Sequence, residues 1–353
     1  PPTIYRRNPG AVARKSRRRR VSRSPSATAG APLSVLNTTL WPCLVSTCQL
    51  TATSVGSKSM SGIGIRTVAT SASMHPDRPS SLTIMSLRVH HLNCGTMCPH
   101  GGKLIGTPGG WLSPGRMVCH CLLVESNDGL ILVDTGMGTA DIAEPGRRLG
   151  RPFVAVTRPK LDPQETALAQ VTALGFSAAD VRHIVVTHLD LDHAGGIPDF
   201  PGAQVHVHAR EHSAAMQPSR RERPRYRPAH FSHNPHWVLH REDGERWLGF
   251  DAVRALPGGG DDVLLIPLHG HTRGHCGVAV RATDGWLLHC GDAYFHHGEM
   301  QTPPYCPPGL RAFQNIVQVD AKARISNQQR LRELAEANAG LVRLFSAHDP
   351  FEM

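Results

Sequence analysis

RHIVVTHLDLDHAGG, residues 182–196, changes character halfway along. The β-branched run Ile184 to Val186 reads as a buried strand, and Thr187 ends it. His188, Asp190, Asp192 and His193 then follow within six positions, ahead of a turn at Gly195 and Gly196. In an extended loop side chains alternate, so 188, 190 and 192 turn toward one point and His193 toward a second. Four ligand-type residues aimed at two places predict a pair of metal ions.

Other stretches extend this pattern in order: Leu132 to Gly136 (LVDTG), Gly270 to His275 (GHTRGH), Leu288 to Tyr294 (LHCGDAY) and Ser346 to Asp349 (SAHD). Together the five motifs resemble those of the metallo-β-lactamase superfamily across residues 87–350. Residues 188–193 stand for its H-x-H-x-D-H signature, with Asp190 where the middle His is usual. Ala-Gly-Gly follows, as in the lactonase-like and glyoxalase-like branches. A lone H-x-D-x-D-H would discriminate weakly; five motifs in order discriminate well.

The resemblance implies an α/β fold, an αββα sandwich of two mixed β-sheets flanked by helices. It also implies a ligand set: His188, Asp190 and His271 for one divalent ion, Asp192, His193 and His348 for another, and Asp292 bridging both. Zn²⁺ is the expected ion, with Mn²⁺ or Fe²⁺ as alternatives at the Asp190 position. The implied chemistry is attack by a metal-bridging hydroxide on a small carbonyl substrate, a lactone first, then a thioester or other ester. Asp192 is the candidate proton carrier to the leaving oxygen. Tyr294 and His275 are candidate oxyanion stabilisers, against plain packing for Tyr294 and bracing of a loop for His275. Two other activities stay open: an iron-dependent oxidoreductase of the same fold, and a nucleic-acid-processing metallohydrolase.

Asp190 is the departure from the family pattern. A carboxylate in place of an imidazole adds one negative charge to the ligands, which predicts a less acidified water and harder ions at that position. A mononuclear or degenerate site is the alternative.

Charge is divided unevenly along the chain. The net charge of +10 arises in residues 1–76, which hold eleven Lys or Arg and no Asp or Glu. Residues 77–353 carry 27 basic and 28 acidic side chains. A basic balance points to nucleic acid, and here it does so only for the first segment. Residues 1–84 are rich in Arg, Ser, Thr, Ala and Pro and read as a disordered leader: a targeting peptide, a polyanion-binding arm, or an extension outside the working protein that starts near Met85. Residues 85–353 read as one hydrolase domain. Its expected partner is a small molecule, with no nucleic acid and no membrane, and with oligomeric state open. No apolar run of about 18 residues suggests a membrane span. Nine Cys without a dense framework fit a reducing, cytoplasmic compartment.

Val118 to Glu125 and Leu130 to Asp134 read as a hairpin around Ser126 to Gly129. Asp134, at its end, is either a brace for the metal loop or a turn residue. Gly101 to Pro114 reads as a loop over the cleft. A helix is expected from Asp162 to Leu174, with Asp162 as N-cap and Pro163 at the first position. Gln204 to His208 reads as a strand and Arg210 to Met216 as a helix. Residues 217–250 break the pattern, and the five Arg between 220 and 227 are either a rim for an anionic group or a solvated loop. Val263 to Leu268, Cys276 to Arg281, Trp286 to His289 and Leu341 to Phe345 are expected strands, and Lys322 to Asn338 an expected helix. His206 and His208 share a strand face and read as surface or packing residues rather than ligands. Cys94, Cys98, Cys119 and Cys121 read as thiols rather than a zinc site, and His230, His233, His236 and His240 as rim residues.

Overall fold

The computed structural model describes residues 87–256 and 258–353. The expectation of a disordered basic leader over residues 1–84 lies outside the described residues. Two six-stranded mixed sheets carry the fold. The first runs in chain order through β1 (Arg88–Met97), β2 (Met117–Ser126), β3 (Gly129–Val133), β4 (Val181–Val185), β5 (Gln204–His208) and β6 (His236–His240). Its first three strands pair antiparallel and its last three continue parallel. The second contains β7 (Glu245–Trp247), β8 (Phe250–Leu256), β9 (Gly260–Pro267), β10 (Cys276–Ala282), β11 (Gly285–His289) and β12 (Val342–Phe345), all antiparallel except the β11–β12 pair.

Strand β2 explains why both faces must be covered. Its residues alternate, and both sets are buried and, His120 apart, apolar. Leu122 and Val124 point into a layer shared with Val263, Val278, Val280 and Phe345 of the other sheet. Cys121 and Leu123 point the other way, into a core closed by helices α3 (Ala167–Ala173) and α4 (Ala209–Met216). On the far face of the second sheet, α6 (Ala321–Ala337) sets Leu331 and Leu334 against Trp286 and Leu288. This is the αββα sandwich.

The remaining helices are α1 (Thr139–Ala143), α2 (Arg151–Thr157) and α5 (Pro308–Val317). Among the described residues no helix is long and apolar enough to cross a membrane.

Several local expectations need correction. The helix expected from Asp162 is broken: a 3-10 turn covers Pro163–Glu165, and α3 restarts after Thr166. Thr166 is extended, and its Oγ1 accepts from the Ala169 amide at 3.2 Å, so it caps a second helix where one continuous helix was expected. Asp162 still caps the first turn, through the Gln164 amide. Residues 217–250 are more ordered than their prolines suggest. His236–His240 joins the first sheet beside β5 in parallel register, and Glu245–Trp247 pairs with β8.

Helix α6 begins at Asp320, whose carboxylate accepts from the Ala323 amide at 3.0 Å. Its buried stripe is polar near the N-terminus. Asn327 Nδ2 donates to the His269 carbonyl at 2.8 Å and Gln328 Nε2 to the Ala293 carbonyl at 2.9 Å. The helix thereby holds the segments that follow β9 and β11, both of which carry candidate ligands.

Candidate metal centre

Strands β4, β11 and β12 end on one side of the sandwich, and the β9–β10 connection reaches the same place. The first delivers His188 to His193, the second Asp292, the third His348 and the connection His271. All seven expected ligands converge there, in two groups. His188 Nε2 stands 3.5 Å from Asp190 Oδ2 and 3.8 Å from Asp292 Oδ2. His271 Nε2 stands 3.1 and 3.4 Å from the same two oxygens. On the other side His193 Nε2 and His348 Nε2 lie 3.2 and 3.1 Å from Asp292 Oδ1, and His348 Nε2 is 3.7 Å from Asp192 Oδ2. Asp292 thus turns one oxygen to each group.

These spacings are those of donors sharing an ion, because ligands about 2.0–2.2 Å from one centre stand roughly 3–3.7 Å apart. The hydrogen-bond pattern agrees. His188 Nδ1 donates to Thr187 Oγ1 at 2.9 Å, and that hydroxyl donates to Asp134 Oδ2 at 2.8 Å. His193 Nδ1 donates to Asp134 Oδ2 at 2.9 Å, and His348 Nδ1 to the Val118 carbonyl at 2.7 Å. In these three rings the outer nitrogen is committed, which leaves the Nε2 lone pair facing inward, whereas His271 Nδ1 is buried without a partner. His188 Nε2 and Asp292 Oδ1 are buried without a hydrogen-bond partner. Buried lone pairs facing carboxylates need a cation, so the residues fit a divalent metal.

Asp134 proves to be the brace and not a mere turn residue. It accepts from the Thr187 amide at 2.7 Å as well as from His193 and the Thr187 hydroxyl. Its φ of 55° places it in the left-handed region, which Asp tolerates better than most residues. Gly195 is needed for a different reason: a Cβ there would collide with the Asp141 carboxylate and the Gly136 carbonyl.

Burial raises the Asp292 and Asp190 carboxyls, but neighbouring charges outweigh it. His348, His193 and His271 hold Asp292 well below the usual carboxylate range, and Arg225 with His188 does the same for Asp190. Burial pulls His193 down, and Asp292 and Asp134 more than reverse it.

Asp192 faces the cavity. Tyr294 and His275 do not act as expected. Tyr294 is fully buried in the second core, and its hydroxyl donates to Glu352 at 3.0 Å, so it has no access to an oxyanion. His275 uses both nitrogens structurally: Nδ1 donates to the Leu268 carbonyl at 3.0 Å and Nε2 accepts from the Asp292 amide at 2.9 Å. It braces the Asp292 loop. His230 is also not at the rim; it is buried against Asp141 Oδ1 at 3.0 Å. His240 is buried too, in a chain with His206 and His183. Cys94, Cys119 and Cys121 are buried free thiols, and Cys98 is a half-exposed one. Cys119 stands near Asp192 and His348.

Two residues that sequence reasoning passed over hold the site together. Glu211, buried on α4, accepts from the amides of Leu189 and Gly274 at 3.0 Å each and from the Tyr226 hydroxyl at 3.1 Å. One carboxylate thus ties the loop after β4 to the β9–β10 connection. Arg225 places Nε 2.8 Å from Asp190 Oδ1 and Nη2 2.9 Å from Asp190 Oδ2. The run of arginines was the visible signal for Arg225; a single helical Glu gave none for Glu211.

Above the donors lies a cavity of about 530 Å³. Met97, Ile105, Phe153, Leu191 and Phe313 give it apolar walls, and Arg221 and Arg273 stand on one side.

A family model described as the metallo-beta-lactamase superfamily matches residues 114–338. The chain belongs to the metallo-β-lactamase superfamily. It is 44% identical over 265 residues to a probable metallo-hydrolase of Mycobacterium tuberculosis, covering 75% of this chain and 81% of that protein. It is 29% identical to an N-acyl homoserine lactonase of Azorhizobium caulinodans, over 65% of this chain and 80% of the other. Among solved structures, an N-acyl homoserine lactone hydrolase with the product N-hexanoyl-L-homoserine bound at its catalytic metal center superposes with a TM-score of 0.57 at 20% identity, covering 76% of this chain and 96% of that one. That likeness extends the superfamily fold to the whole described sandwich. Within the superfamily's pattern the carboxylate at 190 remains this chain's departure, and Arg225 accompanies it.

Proposed function

We propose that this metal-dependent hydrolase opens a small ester-type carbonyl compound, a lactone with an apolar arm before a thioester or other ester, at a site of two divalent ions. The observation that carries this reading is the division of Asp292 between two donor groups on the floor of an apolar cavity. His188, Asp190 and His271 would hold one ion, Asp192, His193 and His348 the other, and Asp292 would touch both. Zinc is the favoured ion, given imidazole and carboxylate donors. When bound, such ions supply Lewis acidity and a water acidified toward neutrality.

The chain's own residues do the rest. The apolar walls take up the arm of the substrate and exclude water around the reacting carbonyl. Asp192, with its side chain 13% exposed at the floor, is placed to carry a proton to the leaving oxygen. Arg221 offers positive charge at the cavity wall for a carboxylate product, whereas Arg273 is held by Glu222 at 2.6 and 2.7 Å. Asp134, Glu211 and His275 touch no substrate and keep the donors aimed. The free thiols among the described residues suit a reducing compartment, and we place the protein in the cytoplasm as a small-molecule enzyme.

Turnover of the purified chain is the test, using panels of acyl lactones, thioesters and phosphodiesters with zinc, manganese or iron supplied. Ring opening of lactones, abolished by His193→Ala, is the expected result. Phosphodiester cleavage without any carbonyl hydrolysis would refute the reading.

A further inference from the structure

Arg225 stands where a divalent ion should be repelled. Its side chain and that of Asp190 are each 12% exposed, and the two meet along both edges, Nε to Oδ1 and Nη2 to Oδ2. The guanidinium is fixed from other directions as well. Nη1 donates to the His271 carbonyl at 3.1 Å. The next residue, Tyr226, is anchored by its hydroxyl on Glu211, so the segment cannot swing Arg225 away without losing a second buried bond. A guanidinium stays charged at any working pH and, held this way, has one orientation.

We propose that Asp190 and Arg225 act as one ligand unit, with Arg225 the positioning residue that sets affinity and ion preference in the first donor group. The guanidinium cancels the charge that the carboxylate adds. The pair therefore presents one oriented oxygen, Oδ2, with no net charge, which is how an imidazole would count at that position. This rests on the two-ion reading above. It replaces the expectation, drawn from Asp190 alone, of a less acidified water and a harder ion.

Charge counting orders four proteins. Asp190→His leaves the guanidinium buried, unpaired and beside the ion position. Arg225→Gln leaves the carboxylate uncompensated. The double variant restores a neutral ligand with no cation near it. The full chain and these three variants are stripped with chelator and dialysed against Zn²⁺ or Mn²⁺. Metal content is read by mass spectrometry, affinity by chelator competition and folding by circular dichroism.

The wild type should hold two ions. Asp190→His should weaken the first group about 100-fold, a loss within the range for disturbed metal-site partners, and the double variant should recover it. Arg225→Gln should bind more tightly than wild type, Mn²⁺ gaining most. A merely structural role for Arg225 would not give rescue by removing it. The proposal is overturned if Asp190→His holds two ions as tightly as wild type, or if the double variant is no better than Asp190→His. Should Asp190→His fail to fold, Arg225→Gln decides, and unchanged affinity overturns the proposal. A wild-type chain that takes up no ion defeats the two-ion reading and this proposal with it, whereas two ions with no charge ordering defeats the proposal alone.

Discussion

Asp134 accepts three hydrogen bonds that together aim His193 and, through Thr187, His188. Asp134→Asn keeps the shape and loses an acceptor, so one of those donors is left facing an amide. Metal affinity should fall about 10–100-fold with the fold intact, read by chelator competition alongside circular dichroism. At this scale the convergence of seven donor-type side chains was legible because residue type and motif order both restrict where such side chains go. Tyr294 and His275 were not, since their positions in a motif say nothing about which bonds use up their polar atoms. Arg225 was misread for a related reason: one of five arginines in an irregular segment looks like any other until the loop has a path.

Strand ends are the unit at which the site is built, and the sequence marks them well. Largely apolar strands that stop at Thr187, Asp134 or Ser346 do so where the sheet hands over to ligand-bearing loops. Among the elements that escaped notice, α1, α2 and the β6 to β8 strands are short, rich in charge or interrupted by Gly and Pro, so their order comes from docking and not from periodicity. Across β4, β5 and β6 a chain of rings runs from His183 Nδ1 to His206 Nε2 and from His206 Nδ1 to His240 Nε2, each link 3.0 Å. Burial, then the neighbouring His240 and His183, lowers the His206 pKa from 6.5 to about 3. The folded state therefore keeps this ring neutral while the unfolded chain protonates it below pH 6.5. Its contribution is fully present above that pH and is lost as pH falls toward 3, on the order of 5 kcal/mol in all. Urea midpoints of wild type should drop across this window. His206→Gln should flatten the drop, and an unchanged slope would place the acid sensitivity elsewhere.

For the whole molecule, the two sheets meet over an apolar layer, and the donors arrive from both. Removing bound metal should therefore loosen more than the site. At an ion concentration 1,000 times its dissociation constant each ion stabilises by about 4 kcal/mol, so chelation should lower the melting temperature by several degrees. Differential scanning fluorimetry with and without chelator measures this, and re-addition of zinc should reverse it. The cavity mouth makes a separate prediction about substrate choice. Ile316 is 69% exposed there and Val156 64%. Ile316→Asp should lower kcat/KM for long-chain acyl lactones about 10-fold or more and leave short-chain ones nearly unchanged, because one lost apolar contact is worth about 1–3 kcal/mol. Equal losses for both would argue that the arm lies elsewhere. The sandwich itself followed from motif order, whereas the size and lining of the cavity did not, since they depend on how α2 and α5 dock.

Asp292 makes the two halves of the centre one thermodynamic object. A carboxylate has a single plane, so fixing one oxygen on an ion fixes the bearing of the other toward His193 and His348. On the two-ion reading proposed above, loading should then be cooperative: the first equivalent of metal prepays the ordering that the second requires. A calorimetric titration should show a Hill coefficient above one, and Asp292→Asn should bring it to one or below.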